Sequence, residues 1–250
     1  MGTIAGLHPH ARLGHMEALE GAIINERKLE LVANEMANVS TVGFKRQRIT
    51  FEEYLLPQQD QTLRNAKGER VATDFSQGPV HQTGNPFDFA IEGEGFFVVE
   101  TPQGKRYTRA GNFTLDAEQR LVTQEGYPVL GDGAPIVIED TTGDGVWLSE
   151  DGRFFVDGTQ QGRIDVVRFE NPQGLGREGR NLYVETDASG PGEQMDGRVI
   201  QGAIEGANVN AVEAMVHLID LYRSYEAQQK TLQAVDQLDE KASTTLGRVG

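Results

Sequence analysis

The sequence predicts an α+β chain in which an all-β central domain, sandwich-like or barrel-like, is inserted between N- and C-terminal amphipathic helices that pair as a coiled-coil-like core. Apolar residues recur at helical spacing near both ends of the chain. Between those ends the period changes to two, with turn residues at intervals of about eight to twelve, the pattern of short antiparallel strands. A third observation joins the two. The stretch ANEMANVSTVGFKRQRITF at 33–51 ends the first helical pattern abruptly and turns polar, small and basic.

Residues 1–15, with Gly2, Gly6, Pro9 and Gly14, have little periodicity and read as a flexible tail. His8, His10 and His15 fall there without a carboxylate or a fixed geometry, so they read as solvated side chains rather than metal ligands. From residue 16 to 38 the apolar positions Met16, Leu19, Ile23, Leu29, Val32, Ala33, Met36 and Ala37 predict a helix of about six turns, interrupted by a polar gap at Asn25–Lys28. Ile24 and Leu31 lie off the main stripe. Asn38, Ser40 and Thr41 bond readily to nearby backbone and compete with helix, and Gly43 permits a turn that a Cβ resists.

Residues 39–70 read as a connector, extended or mobile between Pro57 and Arg70 where hydrophobicity is low. The β domain is expected over 71–204. Phe87, Phe89 and Ile91 alternate with Asp88 and Ala90, as a strand with one buried face does. Further strands are expected at 96–100, 105–109, 112–115, 120–123, 129–130, 135–138, 146–149, 153–156, 163–169, 182–185 and 199–204, and most of the 30 glycines sit at the turns between them. Residues 205–250 return to helix, with Asn208 or Asn210 as the cap and Glu213 completing a capping-box pattern after Asn210. Val212, Met215, Leu218, Ile219, Leu221, Tyr222, Tyr225, Leu232, Val235 and Leu238 hold helical spacing over a length of roughly 40 Å. A stripe that long needs a partner, and the other terminal helix is the obvious one. Two helices leave outer stripes uncovered, so further copies or other chains are expected against them, and isolated subunits are expected to be monomeric with disordered ends.

Composition removes several function classes. A net charge of −15 argues against nucleic acid, which needs clustered Lys and Arg, and the one basic cluster is Lys45, Arg46 and Arg48. The absence of cysteine excludes disulfides and thiolate chemistry. No apolar run reaches the length of a membrane span, and none near the start resembles a signal peptide, so the chain is not expected to span a membrane or to use a cleaved signal. Gly93-Glu94-Gly95 lacks the third glycine and the helix of a dinucleotide loop. Asp140–Asp151 follows part of a calcium-loop pattern, but β-type sequence flanks it, and acidic turn tips are the simpler reading. His81 and His217 stand near no nucleophile, so no catalytic residue is assigned, no metal or other cofactor is expected, and no small-molecule substrate is implied. Trp147 is the one strong candidate for an exposed aromatic platform, as a secreted β-sandwich adhesin or carbohydrate binder requires.

The stretch ANEMANVSTVGFKRQR resembles the signature of the bacterial flagellar rod, hook and hook-associated axial proteins. Asp88–Phe97 with Tyr107, Thr108, Arg109, Gly111 and Phe113 resembles the family's central motif, and Gly206–Glu226 with Asn208, Val209, Asn210, Glu213, Arg223, Tyr225 and Glu226 its C-terminal one. The block at 129–133 and the closing 236–247 region look more like the proximal-rod branch than the distal-rod branch. Glu35, Met36 and Arg120 depart from the family pattern, where Asn, Leu and Gly are usual.

The resemblance implies a non-enzymatic subunit of the basal-body rod, exported by the flagellar type III apparatus and assembled in the periplasmic space with copies of itself and other rod subunits. It also implies packing roles. Leu19, Ile23, Leu29, Val32, Met36, Asn38, Thr41, Gly43, Phe44, Lys45 and Arg46 would serve on the N-terminal helix and its joint, and Asn208, Val209, Asn210, Met215, Ile219, Tyr222, Arg223, Tyr225, Leu232 and Val235 on the C-terminal helix. Lys45, Arg46 and Arg48 are expected to meet acidic neighbours. Gly43→Val is expected to harm assembly far more than the melting of the β domain.

Overall fold

The computed structural model describes residues 9–57, 63–138, 145–149, 152–195 and 197–246. It divides into a helical unit, residues 1–36 with 210–250, and a β-rich unit, residues 37–209. In the helical unit, α1 spans Pro9–Ala37 and α2 spans Ala211–Leu246. Helix α1 starts seven residues before Met16, inside the stretch expected to be a tail. Asn210 caps α2 as its sequence predicts: its side-chain oxygen accepts from the amides of Val212 (3.0 Å) and Glu213 (3.3 Å).

The coiled-coil-like pairing of the two helices is not what the structure has. Val212, Met215, Ile219 and Tyr222, the apolar stripe that was to form the seam, are 51–71% exposed, and Ile23 on α1 is 54% exposed. The helices are instead linked through the polar gap. The Asn25 amide donates to Ser224 Oγ at 3.0 Å and to Gln228 Oε1 at 2.9 Å. The physical reason is the interruption at Asn25–Lys28, which puts hydrogen-bonding groups where a heptad seam needs apolar knobs. The fold is accordingly strand-dominated, with one helix at each end.

In the β-rich unit, β1 (Gln47–Pro57) and β2 (Leu63–Thr73) pair antiparallel where a connector was expected. The chain continues through β3 (Val80–Gln82), β4 (Phe89–Glu92), β5 (Phe96–Thr101), β6 (Gly104–Thr108), β7 (Thr114–Leu115), β8 (Leu121–Val122), β9 (Leu130–Gly131) and β10 (Ala134–Pro135). Then come β11 (Val146–Leu148), β12 (Arg153–Val156), β13 (Thr159–Arg163), β14 (Val166–Arg168), β15 (Gly176–Glu178), β16 (Leu182–Val184), β17 (Glu193–Gln194), β18 (Arg198–Gln201) and β19 (Ala203–Glu205). The main sheet is antiparallel, in the order β15-β16-β6-β5-β14-β17, and the remaining strands form smaller two- and three-stranded sheets.

Strand β5 explains the layering. Its run Phe96-Phe97-Val98-Val99 is buried on both sides: Phe97 and Val99 enter a core with Phe89, Leu121, Phe154 and Ile164, while Phe96 and Val98 enter a second with Tyr107, Phe169 and Tyr183. The single buried face expected around Phe89 is corrected in the same way. Phe89, Ala90 and Ile91 are all buried, and the Phe89 amide donates to the Gly111 carbonyl at 2.9 Å. A Cβ on Gly111 would lie 1.7 Å from the Phe89 carbonyl oxygen.

Candidate functional site

The site lies in the β-rich unit, where the segment after α1 meets β19 and the residues following it. Asn38 and Thr41 close a turn, with the Thr41 amide on the Asn38 carbonyl (3.0 Å) and the two side chains bonded at 3.2 Å. Gly43 then takes φ = +68° and donates its amide to the Glu205 carbonyl at 2.8 Å. A Cβ there would stand 2.3 Å from the Ala110 amide nitrogen, backbone that cannot swing aside. This corrects the expectation for Gly43→Val: the glycine is wedged inside the β-rich unit, so the substitution strikes that unit's own stability.

Phe44 follows, 1% exposed, with the Arg177 guanidinium 4.8 Å from its ring centroid. Arg177 Nη1 also donates to the Lys45 carbonyl at 3.2 Å, so one arginine holds two consecutive residues of the exit segment. Lys45 points into the interior. Its ammonium donates to Glu205 Oε1 at 2.5 Å and to the Ser76 carbonyl at 2.7 Å. Glu205 Oε1 accepts a further bond from the Gly78 amide at 2.8 Å, and Oε2 accepts from Arg109 Nη1 at 3.2 Å. Arg109 Nη2 reaches the Gly93 carbonyl at 2.7 Å, and its guanidinium lies 5.5 Å from the Phe96 ring centroid.

The side chains of Lys45 and Glu205 are wholly buried and that of Arg109 nearly so. Two cations therefore share one carboxylate out of water. Burial lowers the pKa of both Lys45 and Arg109, and Glu205 works against that shift. Such a cluster is costly to assemble and more costly to break, because loss of one partner leaves the other charge buried and uncompensated.

A second, shallower cluster braces the first. Arg46 Nε donates to Asp74 Oδ2 at 3.0 Å, Arg48 pairs with the same oxygen, and the Ser76 amide donates to Oδ1 at 3.1 Å. Burial alone would raise the Asp74 pKa, but hydrogen bonds from Ser76, Arg46 and Arg48 hold it well below the usual carboxylate range. Asn208 stitches the segments together: its Oδ1 accepts from the Arg46 amide (2.8 Å) and its Nδ2 donates to the Asp74 carbonyl (2.7 Å). The acidic neighbours of Lys45, Arg46 and Arg48 are thus Glu205 and Asp74. None of these groups is arranged as a nucleophile and base. They form a staple across four chain segments, 45–48, 74–78, the residue Arg109 and 205–208.

Of the residues singled out from sequence, Asn38, Thr41, Gly43, Phe44, Lys45, Arg46 and Asn208 come together here, and Val209 adjoins them. In the helical unit, Ile23, Asn210, Met215, Ile219, Tyr222 and Arg223 are exposed, whereas Leu29, Val32, Met36 and Tyr225 are half-buried. The side chains of Leu19, Leu232 and Val235 lie outside the described ones, as does most of the calcium-like stretch Asp140–Asp151. Among the described residues no group of three acidic, His or Cys side chains is placed to hold a metal. Gly93 and Gly95 form a turn, both with positive φ, and Trp147 is 48% exposed and stacked on Phe155 at 4.1 Å. The departure at Arg120 is absorbed locally, its guanidinium bonding Asp116 at 2.7 Å.

Sequence reasoning missed Glu205, Asp74 and Arg177. A signal existed for Glu205: a lone carboxylate in the apolar run Ala203-Ile204-Glu205-Gly206-Ala207 asks for a buried cation. Nothing comparable marks Asp74 or Arg177.

Comparison with known proteins agrees with the chain order of these elements. Residues 200–245 match the family described as flagellar basal body rod FlgEFG protein C-terminal, and residues 90–156 match the flagellar hook protein FlgE/F/G D1 domain. The flagellar basal-body rod protein FlgF of Caulobacter vibrioides is 35% identical over 228 residues, covering 89% of this chain and 93% of the relative. The rod protein FlgG of Borreliella burgdorferi is 34% identical, covering 88% and 94%. FlgF of Mesorhizobium japonicum is 31% identical, covering 92% and 96%. Because these likenesses run through both the main sheet and α2, the chain belongs to the family of flagellar basal-body rod proteins that includes FlgF and FlgG.

Proposed function

We propose that the chain is a load-bearing, non-catalytic subunit of the rod. It assembles in the periplasmic space with copies of itself and other rod subunits after export by the flagellar type III apparatus. Its mechanism is mechanical: torque entering through the terminal helices passes along the exit segment into the β-rich unit. The observation that carries the reading is the exposed apolar stripe Val212, Met215, Val216, Ile219 and Tyr222 on α2, too large a hydrophobic surface to leave in water without partner chains. The helices then contribute to an inner tube through contacts with other subunits, and the Lys45–Glu205–Arg109 staple resists shear where the chain leaves α1. The proximal rather than distal position rests on the 129–133 block and the 236–247 region.

Deleting Ala227–Gly250 tests the proposal. The truncated chain is expected to keep a folded β-rich unit, read by its melting, and to be absent from purified basal bodies. A truncated chain that still builds a normal rod refutes it.

A further inference from the structure

We infer that an arginine-lined groove beside the staple docks an acidic segment of a second copy of this chain. The inference rests on the rod-subunit reading, since it names the partner surface through which one subunit meets the next. Two cavities, of about 490 and 420 Å3, meet at Asp74 and Gln173. The first is lined by Arg109 and Arg168 with Glu94, Phe96 and Phe169, the second by Arg48 and Arg70 with Thr50.

Four arginines therefore face two carboxylates, in a chain that has 38 acidic against 23 basic residues. One of those carboxylates, Asp74, is already shared by Arg46 and Arg48. Arg48 and Arg168 are more than half exposed, and the ion pair of Arg168 with Glu193, at 3.5 Å, is open to solvent and weak. Arg109 is fixed in the floor by Glu205 and the Gly93 carbonyl. Guanidinium forks that project into a shaped hollow recognise carboxylates in pairs of parallel hydrogen bonds.

A second copy is the occupant because of charge. A chain of net charge −15 repels its own copies, and a cationic groove is the place where an acidic surface is accepted. The same chain supplies that surface: Glu118 is 66% exposed, and Glu125, Asp132 and Asp157 stand exposed at turns. Complementary charge of this kind sets register between neighbours and selects which face is offered.

The test uses the full chain in flagellated cells lacking the parental gene. Arg70→Glu with Arg168→Glu reverses two exposed arginines of the groove, and Arg153→Glu with Arg198→Glu makes the same charge change elsewhere. The groove variant is expected to lower the chain recovered in purified basal bodies about tenfold, with melting unchanged, and the control to be recovered like the parent. A photocrosslinking residue at Gln173 is expected to trap a second copy. Parental recovery of the groove variant, or equal loss in the control, overturns the inference and leaves the rod reading standing. Crosslinking only to a different chain overturns the choice of occupant. Absence of the parent chain itself from basal bodies overturns both.

Discussion

Replacing Glu205 by Gln is the sharpest perturbation of the staple. The carboxylate accepts from Lys45, Arg109 and the Gly78 amide while fully buried, and its main-chain carbonyl accepts from Gly43. Glutamine keeps the shape and the main-chain bond but removes the full negative charge that touches both cations. It also turns an NH2 group toward a donor. Breaking a buried pair in this way costs about 3–5 kcal/mol, a large part of the roughly 5–15 kcal/mol that holds a domain together. For a domain of this size each kcal/mol lowers Tm by about 2–4 °C, so a fall on the order of 10 °C is expected in differential scanning calorimetry. Lys45→Met removes one of the stranded cations, and the double variant should cost at least about 1 kcal/mol less than the sum of the singles. A Glu205→Gln chain melting within about 2 °C of the parent, or strictly additive costs, would refute the claim that this cluster is an energetic unit.

Two further perturbations follow from the same geometry. Gly43→Ala combines a left-handed backbone strain of about 1 kcal/mol with a Cβ placed 2.3 Å from the Ala110 nitrogen, so a loss of about 2–4 kcal/mol is expected in urea unfolding, and a loss under about 0.5 kcal/mol would show that the turn relaxes freely. Among the described residues the buried Tyr183 hydroxyl has no hydrogen-bond partner, so Tyr183→Phe should leave Tm unchanged or raise it by a few degrees near neutral pH. Burial pushes the Tyr183 pKa up to about 12 from 10.0, against the pull of Arg177 and Arg109. Because the folded pKa is raised, that group's contribution is complete below pH 10 and lost as pH rises toward 12. Tyr183→Phe should therefore flatten part of the alkaline loss of stability, and an unchanged alkaline profile would count against the assignment.

Much of the architecture was legible in the sequence because it depends on periodicity. The helix at each end, the change to a two-residue period and the cap at Asn210 follow from local spacing and local hydrogen-bonding capacity. Gly43 was legible as a turn for the same reason. Its tight packing against Ala110 was not, since that contact joins residues 67 positions apart. The alternation around Phe89 pointed to one buried face, but Ala90, between Phe89 and Ile91, is buried as well, because what packs against the second face is set by distant chain and not by local spacing. The helical stripes read as a seam because spacing reports amphipathicity and not what lies opposite it, and Asn25 decided otherwise.

The sequence by itself determined the class of the protein: helical ends around β structure, no thiol chemistry, an acidic surface and the motif blocks of a rod subunit. Only the tertiary structure decided how the stretch after α1 is held. Lys45 is a surface residue by composition and an interior one by position, because Glu205, 160 residues away, supplies the charge that makes its burial tolerable. Hydrophobic periodicity is encoded over a few neighbours, whereas the partner of a buried charge is chosen by chain topology, so the first is readable along the chain and the second only in three dimensions.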